Sequence, residues 1–154
     1  MPDTDRMIIE ALLAEYEGVD VLPRIRAVLA GLAPNADNAQ VAAALAQDPG
    51  WKYYDEAIEW DMSRVGIAGV AKGLGQLAQW WRLFAGNFNS HMYEKAVCRD
   101  LEGGWVISKA TVKAIAGSAQ KVDGPAVQLW RVQDGKITIM RGYRSEAEAL
   151  AAPR

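Results

Sequence analysis

The chain has 154 residues, of which 51% are hydrophobic and 23% charged, and its formal net charge is −2. This size and composition are typical of one soluble domain that buries its own core. The charge argues against nucleic acid as the main partner, because phosphate binding needs a basic surface. No apolar run approaches the ~20 residues that span a bilayer, and the polar, acidic N-terminus is unlike a signal peptide. We therefore expect a cytoplasmic protein without a membrane partner.

The scarcity of cysteine and histidine limits the chemistry that can be expected. Cys98 is the only cysteine, so an internal disulfide is excluded and a reducing compartment is favoured. His91 is the only histidine, and no Cys or His pair stands at metal-ligand spacing. The glycines of 69–75 lack the order of a phosphate-binding loop or a dinucleotide-binding turn. We expect neither a metal nor an organic cofactor.

The first third of the chain has the periodicity of amphipathic helices. Apolar residues recur at spacings of three and four over 5–16, and a second helix is predicted over 20–32. Asp37 or Asn38 can cap a third helix that runs to Ala46. Helices therefore precede the first predicted strand.

Strand patterns dominate the rest of the chain. A first strand is predicted at 57–62, a helix with an aromatic face at 74–88 and a strand at 92–99. The clearest alternation covers 105–116, and the glycine-containing segment 117–124 is interpreted as a turn or a hairpin end. A short final helix capped by a serine completes the pattern.

The strongest local signal is a hairpin near the end of the chain. Two β-rich runs, 126–132 and 137–143, flank an Asp-Gly pair at 134–135, which tolerates the positive φ of a tight turn. Alternation puts Ile137 and Ile139 on one face of the second strand. Neither face of the hairpin is uniformly polar, so we expect helices on one side and another subunit or other protein mass on the opposite side.

These elements predict an α+β fold in which helices pack on one face of a curved, mainly antiparallel sheet. The whole chain, 1–154, is interpreted as a single domain. Residues 1–35 are interpreted as an extra N-terminal helical segment. One alternative for them is a docking arm for a protein partner.

Four segments resemble one protein family in their order and spacing. They are 57–63 (AIEWDMS), 69–73 (GVAKG), 129–137 (LWRVQDGKI) and, after Tyr143, 146–150 (EAEAL). Over 38–152 the chain resembles the SnoaL-like proteins of the nuclear-transport-factor-two-like superfamily, which also holds ketosteroid isomerases, scytalone dehydratase and limonene epoxide hydrolase. This fold hosts many functions.

The resemblance implies a cone-shaped roll, with a strongly curved sheet wrapped around helices, a pocket open at one end and a homodimer formed through the outer sheet face. The residues themselves favour a pocket, because small side chains on the strand at 105–116 leave volume beside the aromatic residues. The predicted ligand-pocket residues are Trp60, Trp80, Trp81, Phe84, Ser108, Ala110, Val112 and Trp130.

The resemblance also suggests positions for acid–base groups. A ketosteroid isomerase has a carboxylate base late on its first strand, where Asp61 stands here, and desolvation beside the tryptophans would raise the pKa of Asp61. The isomerase's buried acid falls on Gln128, whose amide donates a hydrogen bond but gives up no proton. Gln128 or Tyr93 would hold a substrate carbonyl, and His91 is a further acid–base candidate.

Each of these positions also has a plain structural interpretation. Asp61 fits a loop carboxylate that accepts backbone hydrogen bonds, Gln128 a satisfied core amide, and His91 a cap or a surface residue. The Asp-His pair of the SnoaL cyclases and the Asp-Arg-Asp group of the epoxide hydrolase are not recognisable. The leading hypothesis is a pocket for a small, largely apolar ligand, with cofactor-independent isomerase, cyclase or dehydratase chemistry left open. The alternative is a non-catalytic ligand-binding or protein-interaction module.

Overall fold

A computed structural model describes residues 2–66, 69–116 and 121–154. The helices are α1 Pro2–Ala14, α2 Val21–Leu29, α3 Asn38–Leu45, α4 Leu74–Asn87 and α5 Glu146–Ala151. The strands are β1 Tyr54–Asp61, β2 Val70–Lys72, β3 Phe88–Asp100, β4 Trp105–Ala116, β5 Lys121–Gln133 and β6 Lys136–Tyr143.

Side-chain caps determine where several helices begin. The Asp20 carboxylate accepts a hydrogen bond from the backbone N–H of Leu22 at the start of α2. At α3, Asp37 accepts from the N–H of Gln40 while the Gln40 side chain accepts from the N–H of Asp37, which forms a capping box. At α5, the Ser145 hydroxyl oxygen accepts a hydrogen bond from the backbone N–H of Glu148. The predicted starts of the third and the last helix are confirmed.

The six strands form one curled sheet in the order β2-β1-β6-β5-β4-β3. Every neighbouring pair is antiparallel except β1 and β6, which run parallel. Asp134 and Gly135 have φ values of 51° and 78° and close the β5–β6 hairpin as predicted. The helices and this mainly antiparallel sheet make the α+β fold that the sequence predicted.

Two details of the strands differ from the sequence-based expectation, and a third decides between two interpretations that the sequence left open. Strand β2 was not predicted, because three residues are too few to show a periodicity. Of the two interpretations of 117–124, residues 121–124 fit the hairpin end rather than the turn, because they belong to β5 and pair with β4, and residues 117–120 lie outside the described residues. The prediction that Ile137 and Ile139 share a face is wrong, since a register shift in the β5–β6 ladder puts Ile137 in the main core and Ile139 against the outer cluster.

The inner face of the sheet packs on α1, α2 and α4 and forms the main core. On β4 the predicted alternation is confirmed: Val106, Ser108 and Ala110 are buried, whereas Lys109 and Lys113 are exposed. The outer face carries a second, smaller apolar cluster, and α5 covers part of it. The protein mass expected on this side is therefore supplied in part by the chain's own last helix.

The N-terminal helical segment is built into the main core. Ile9 and Leu12 of α1 and Leu22 of α2 are completely buried within the same cluster as the sheet residues. The buried Asp48 carboxylate, just after α3, accepts a hydrogen bond of 2.7 Å from Nε of Arg24 in α2. Residues 2–35 are thus joined to the rest of the fold by apolar packing and by a partly buried ion pair.

Candidate functional site

A cavity of about 320 Å³ opens where β5 extends past the end of β6. Strand β6 ends at Tyr143, which pairs with Val127, so the part of β5 that precedes Val127 pairs with β4 alone. We call this space the mouth cavity. Side chains from the inner face of three strands form its floor: His91 and Tyr93 of β3, Val112 of β4, and Gln128 of β5, next to Ala126.

The rim of the mouth cavity comes from loops and strand ends. Met62 and Val65 reach it from the turn after β1, and Asp123 and Pro125 lie on the stretch of β5 that pairs with β4 alone. Met62 packs directly on Gly142 of β6, where a side chain would collide with the methionine sulfur. Apolar side chains therefore dominate the walls above a floor that gathers the polar groups.

His91 is the most unusual polar group at this site. Its side chain is only 6% exposed, and its ring makes edge contacts with Phe84 at 5.0 Å and Tyr93 at 4.8 Å between centroids. Its Nδ1 is buried and has no hydrogen-bond partner among the residues that the structure describes. Burial lowers the pKa of His91 to about 4, against the opposing charge of Asp20, so the imidazole is neutral at neutral pH.

Tyr93 and Gln128 lie together beside His91, and we call them the Tyr93–Gln128 pair. Both side chains are buried on the inner face, where they line the same two spaces. Burial raises the pKa of Tyr93 to about 12, although the neighbouring Gln128 side chain acts in the opposite direction. At neutral pH the floor therefore carries a protonated phenol, an amide and an uncharged imidazole, all of which can hydrogen-bond without a net charge.

Asp61 lies at the end of β1 and does not line the mouth cavity. Its Oδ1 accepts hydrogen bonds from the backbone N–H and the hydroxyl of Ser63, and its Oδ2 lies 3.0 Å from a guanidinium nitrogen of Arg64. Desolvation raises the pKa of Asp61, but these hydrogen bonds and the charge of Arg64 outweigh it and bring the pKa below its usual value. The expectation of a raised pKa is wrong.

The tryptophans predicted to line the pocket fill the interior instead. Trp60, Trp81 and Trp130 surround a void of about 10 Å³ together with Leu12, Leu13, Tyr16 and Tyr54, and with the Tyr93–Gln128 pair at one side. We call this space the inner void. The edge-to-face contacts of Trp60 with Trp80 and Trp130, at 5.5 and 6.2 Å between centroids, are those of a packed aromatic core.

The other predicted pocket residues divide between core and cavity. Ser108 accepts a hydrogen bond of 2.8 Å from Nε1 of Trp130, and Ala110 is buried in the main core. Phe84 lies behind the floor, in contact with the ring of His91. Val112 is the one residue of the predicted pocket set that lines the mouth cavity. Sequence reasoning missed the rim, since its residues have no periodic pattern and converge only in the folded chain.

Within residues 2–66, 69–116 and 121–154, no three His, Cys, Asp or Glu side chains gather closely enough to hold a metal ion. Cys98 is half-buried, and burial raises the pKa of its thiol to about 11. The described helices are all too short or too polar to cross a lipid bilayer.

Solved structures with the same architecture come from several bacteria. An NTF2-like protein from Burkholderia xenovorans LB400 is 16% identical, with a TM-score of 0.62 over 100% of this chain and 98% of its own. A candidate polyketide cyclase from Xanthomonas campestris pv. campestris is 16% identical, with a TM-score of 0.59 over 96% and 97%. A hypothetical protein with a ketosteroid isomerase-like fold from Catenulispora acidiphila, in complex with trimethylamine, is 15% identical, with a TM-score of 0.55 over 78% and 92%.

This chain has the NTF2-like fold. The same fold is also described as ketosteroid isomerase-like, and it agrees with the resemblance noted in the sequence. At these identities the similarity shows the fold alone, and NTF2-like proteins carry different chemistries on it. No protein-family model and no curated protein sequence matches the chain.

Proposed function

We propose that the chain binds a small, uncharged and largely apolar molecule in the mouth cavity, with a polar atom of that molecule held at the floor by His91 and the Tyr93–Gln128 pair. The observation that carries the proposal is the convergence of these three polar side chains beneath apolar walls. A cavity of about 320 Å³ is at the lower end of the range for small-molecule sites.

The chemistry of the floor supports a ligand with a hydroxyl or carbonyl group. A neutral imidazole offers one donor and one acceptor, and an amide or a phenol adds another of each. The unpartnered, buried Nδ1 of His91 is costly, by about 1 to 3 kcal/mol, and a ligand atom that reaches Nδ1 would recover part of this. Arg144 and Asp123 lie at the rim with opposite charges, so the rim favours neither an anionic nor a cationic ligand.

A cavity-filling variant tests the proposal. Val112→Trp places an indole in the mouth cavity, whereas Thr111→Trp, the matched control, adds the same side chain to the exposed outer face of the same strand. Both variants are compared with the parent by native mass spectrometry for co-purified molecules and by thermal shift with a set of small aromatic and alicyclic alcohols and ketones.

The expected result is binding to the parent and to Thr111→Trp but not to Val112→Trp. A ligand present at a hundred times its Kd stabilises the folded state by about 2.7 kcal/mol, which raises Tm by about 5 to 10 °C for a chain of this size. Equal binding to all three proteins, or binding to none of them, would contradict the proposal.

A second candidate function is cofactor-independent proton transfer, favoured by the position of His91 beside the Tyr93–Gln128 pair. The imidazole would take a proton from the carbon next to a carbonyl, Tyr93 or Gln128 would donate a hydrogen bond to the enolate oxygen, and the proton would return to a carbon of the same conjugated system. A base with a pKa of about 4 is weak at neutral pH, so we place binding first.

Deuterium exchange separates the two functions. An unsaturated cyclic ketone is incubated with the protein in heavy water, and deuterium at its α and γ carbons is followed by NMR. Proton transfer predicts exchange that disappears in His91→Phe and persists in Asp61→Asn, because Asp61 lies outside the mouth cavity. Binding without exchange supports the first function. A homodimer formed through the outer face of the sheet, and a cytoplasmic location, complete the proposal from the sequence.

A further inference from the structure

Two spaces inside the protein share a wall. Tyr93 and Gln128 line the mouth cavity on one side and the inner void on the other. Both side chains are more than nine-tenths buried. No other residue appears in the linings of both spaces, among the parts of the chain that the structure describes.

The wall is held in place from several directions. Tyr93 and Gln128 are both buried, and the Tyr93 ring contacts the imidazole of His91. The main-chain carbonyl of Tyr93 accepts a hydrogen bond of 2.8 Å from the N–H of Gly18, and Glu17 forms a β-bridge with Tyr93. The link between α1 and α2 therefore fixes the strand that carries the wall.

Behind the wall the space is already occupied. Leu12 and Leu13 of α1, with Tyr16 just after the helix, meet the tryptophans there and leave only about 10 Å³, roughly the space of one water molecule. A ligand that enters from the mouth meets the Tyr93–Gln128 pair before it meets this packed interior.

We propose that the Tyr93–Gln128 pair sets the depth of the ligand site and so selects ligands by length. This inference rests on the proposed binding function, because it concerns the same cavity. It assigns the pair a specificity-determining role: the phenol and the amide form the end of the site, and the α1 side chains behind them prevent a longer molecule from displacing the wall.

A series of para-alkylphenols, from ethyl to octyl, measures the depth. In the parent the phenol hydroxyl lies at the floor, so affinity is expected to rise about fourfold for each CH₂ that finds apolar surface and then to stop rising when the alkyl chain passes the rim. Without the Tyr93 ring the whole molecule can sit deeper, which brings more of its alkyl chain inside the rim. In Tyr93→Ala the rise is expected to continue for at least two further carbons. Leu13→Ala is the matched control, since it enlarges the inner void and leaves the wall intact. In Leu13→Ala, affinity should stop rising at the same alkyl chain length as in the parent.

The proposal would be overturned if affinity stopped rising at the same alkyl chain length in Tyr93→Ala as in the parent. It would also be overturned if Leu13→Ala lengthened that chain as much as Tyr93→Ala does. Circular dichroism and urea unfolding establish that each variant is folded, and Gln128→Ala replaces Tyr93→Ala if the latter is not.

A second measurement does not depend on the proposed function. Crystals of Tyr93→Ala, or of the replacement variant, under xenon pressure should show xenon in the space vacated by the wall, continuous with the mouth cavity, because apolar cavities bind xenon. If no alkylphenol binds the parent, the proposed binding of this ligand class fails, while xenon still reports on the wall. Absence of xenon from the vacated space would refute the wall whatever the phenols do.

Discussion

Replacing His91 by phenylalanine is expected to flatten the dependence of stability on pH. The imidazole is buried against Phe84 and Tyr93, and burial brings its pKa from the ordinary 6.5 to about 4 in the folded protein, with Asp20 as the opposing charge. Between these two values the unfolded chain binds a proton at His91 and the folded protein does not. The free energy of unfolding therefore falls as the pH drops below 6.5, and the loss is complete near pH 4.

The size of the effect follows from the separation of the two pKa values. Each pH unit of separation is worth about 1.4 kcal/mol, so the full loss is about 3 kcal/mol. At about pH 5 the loss has reached about 2 kcal/mol relative to neutral pH. Phenylalanine fills a similar space and takes up no proton, so His91→Phe should lack this part of the dependence.

Urea unfolding followed by tryptophan fluorescence measures the effect, at several values from neutral pH to about pH 5. Carboxylates titrate in both proteins, so the difference between their slopes reports on position 91. Since His91 is the only histidine, its ring proton signals in the folded parent are also unambiguous by NMR, and they should not titrate above about pH 5. Equal pH dependence in the two proteins, or an NMR titration near 6.5, would refute the reasoning.

Two further predictions concern the N-terminal helices. Leu12→Ala should lower the free energy of unfolding by about 2 to 5 kcal/mol, because Leu12 is 0% exposed. Met7→Ala on the same helix, at 62% exposure, should change the free energy of unfolding by less than about 0.5 kcal/mol. Similar effects of the two substitutions in urea unfolding would argue against a core role for α1. Asp48→Ala should cost about 3 kcal/mol, because it leaves the guanidinium of Arg24 without its buried partner, and an unchanged unfolding midpoint would contradict this.

The parts of the fold that were predictable are those determined within a few residues. The caps at Asp37 and Ser145 and the turn at Asp134 and Gly135 need only their own side chains and backbone angles, and the sequence located them correctly. The orientation of Ile139 was not predictable in the same way. It depends on a register shift against the neighbouring strand, and no local pattern reports such a shift.

The candidate site also has residues that the sequence predicted correctly and residues that it did not. Strand alternation, together with the family resemblance, indicated His91, Tyr93 and Gln128, and the structure brings these three together at one floor, while their roles stay predictions. The environment of Asp61 was misjudged because its nearest partners are local. Ser63 and Arg64 follow it in a tight turn, and their hydrogen bonds stabilise the carboxylate more than desolvation destabilises it.

The dimensions of the pocket depend on residues that are far from it in the sequence. The strands alone, with Ser108 and Ala110 facing inward, favour an open interior, and this is why the tryptophans were expected to line a ligand site. The side chains of α1, almost a hundred residues earlier in the chain, occupy that interior, so the open space is displaced to the mouth. An NTF2-like sheet therefore does not determine ligand size. Chains with the same sheet but smaller side chains both at the Tyr93–Gln128 pair and at Leu12, Leu13 and Tyr16 behind it should have a deeper site, which is why ligands cannot be transferred between members of this fold on architecture alone.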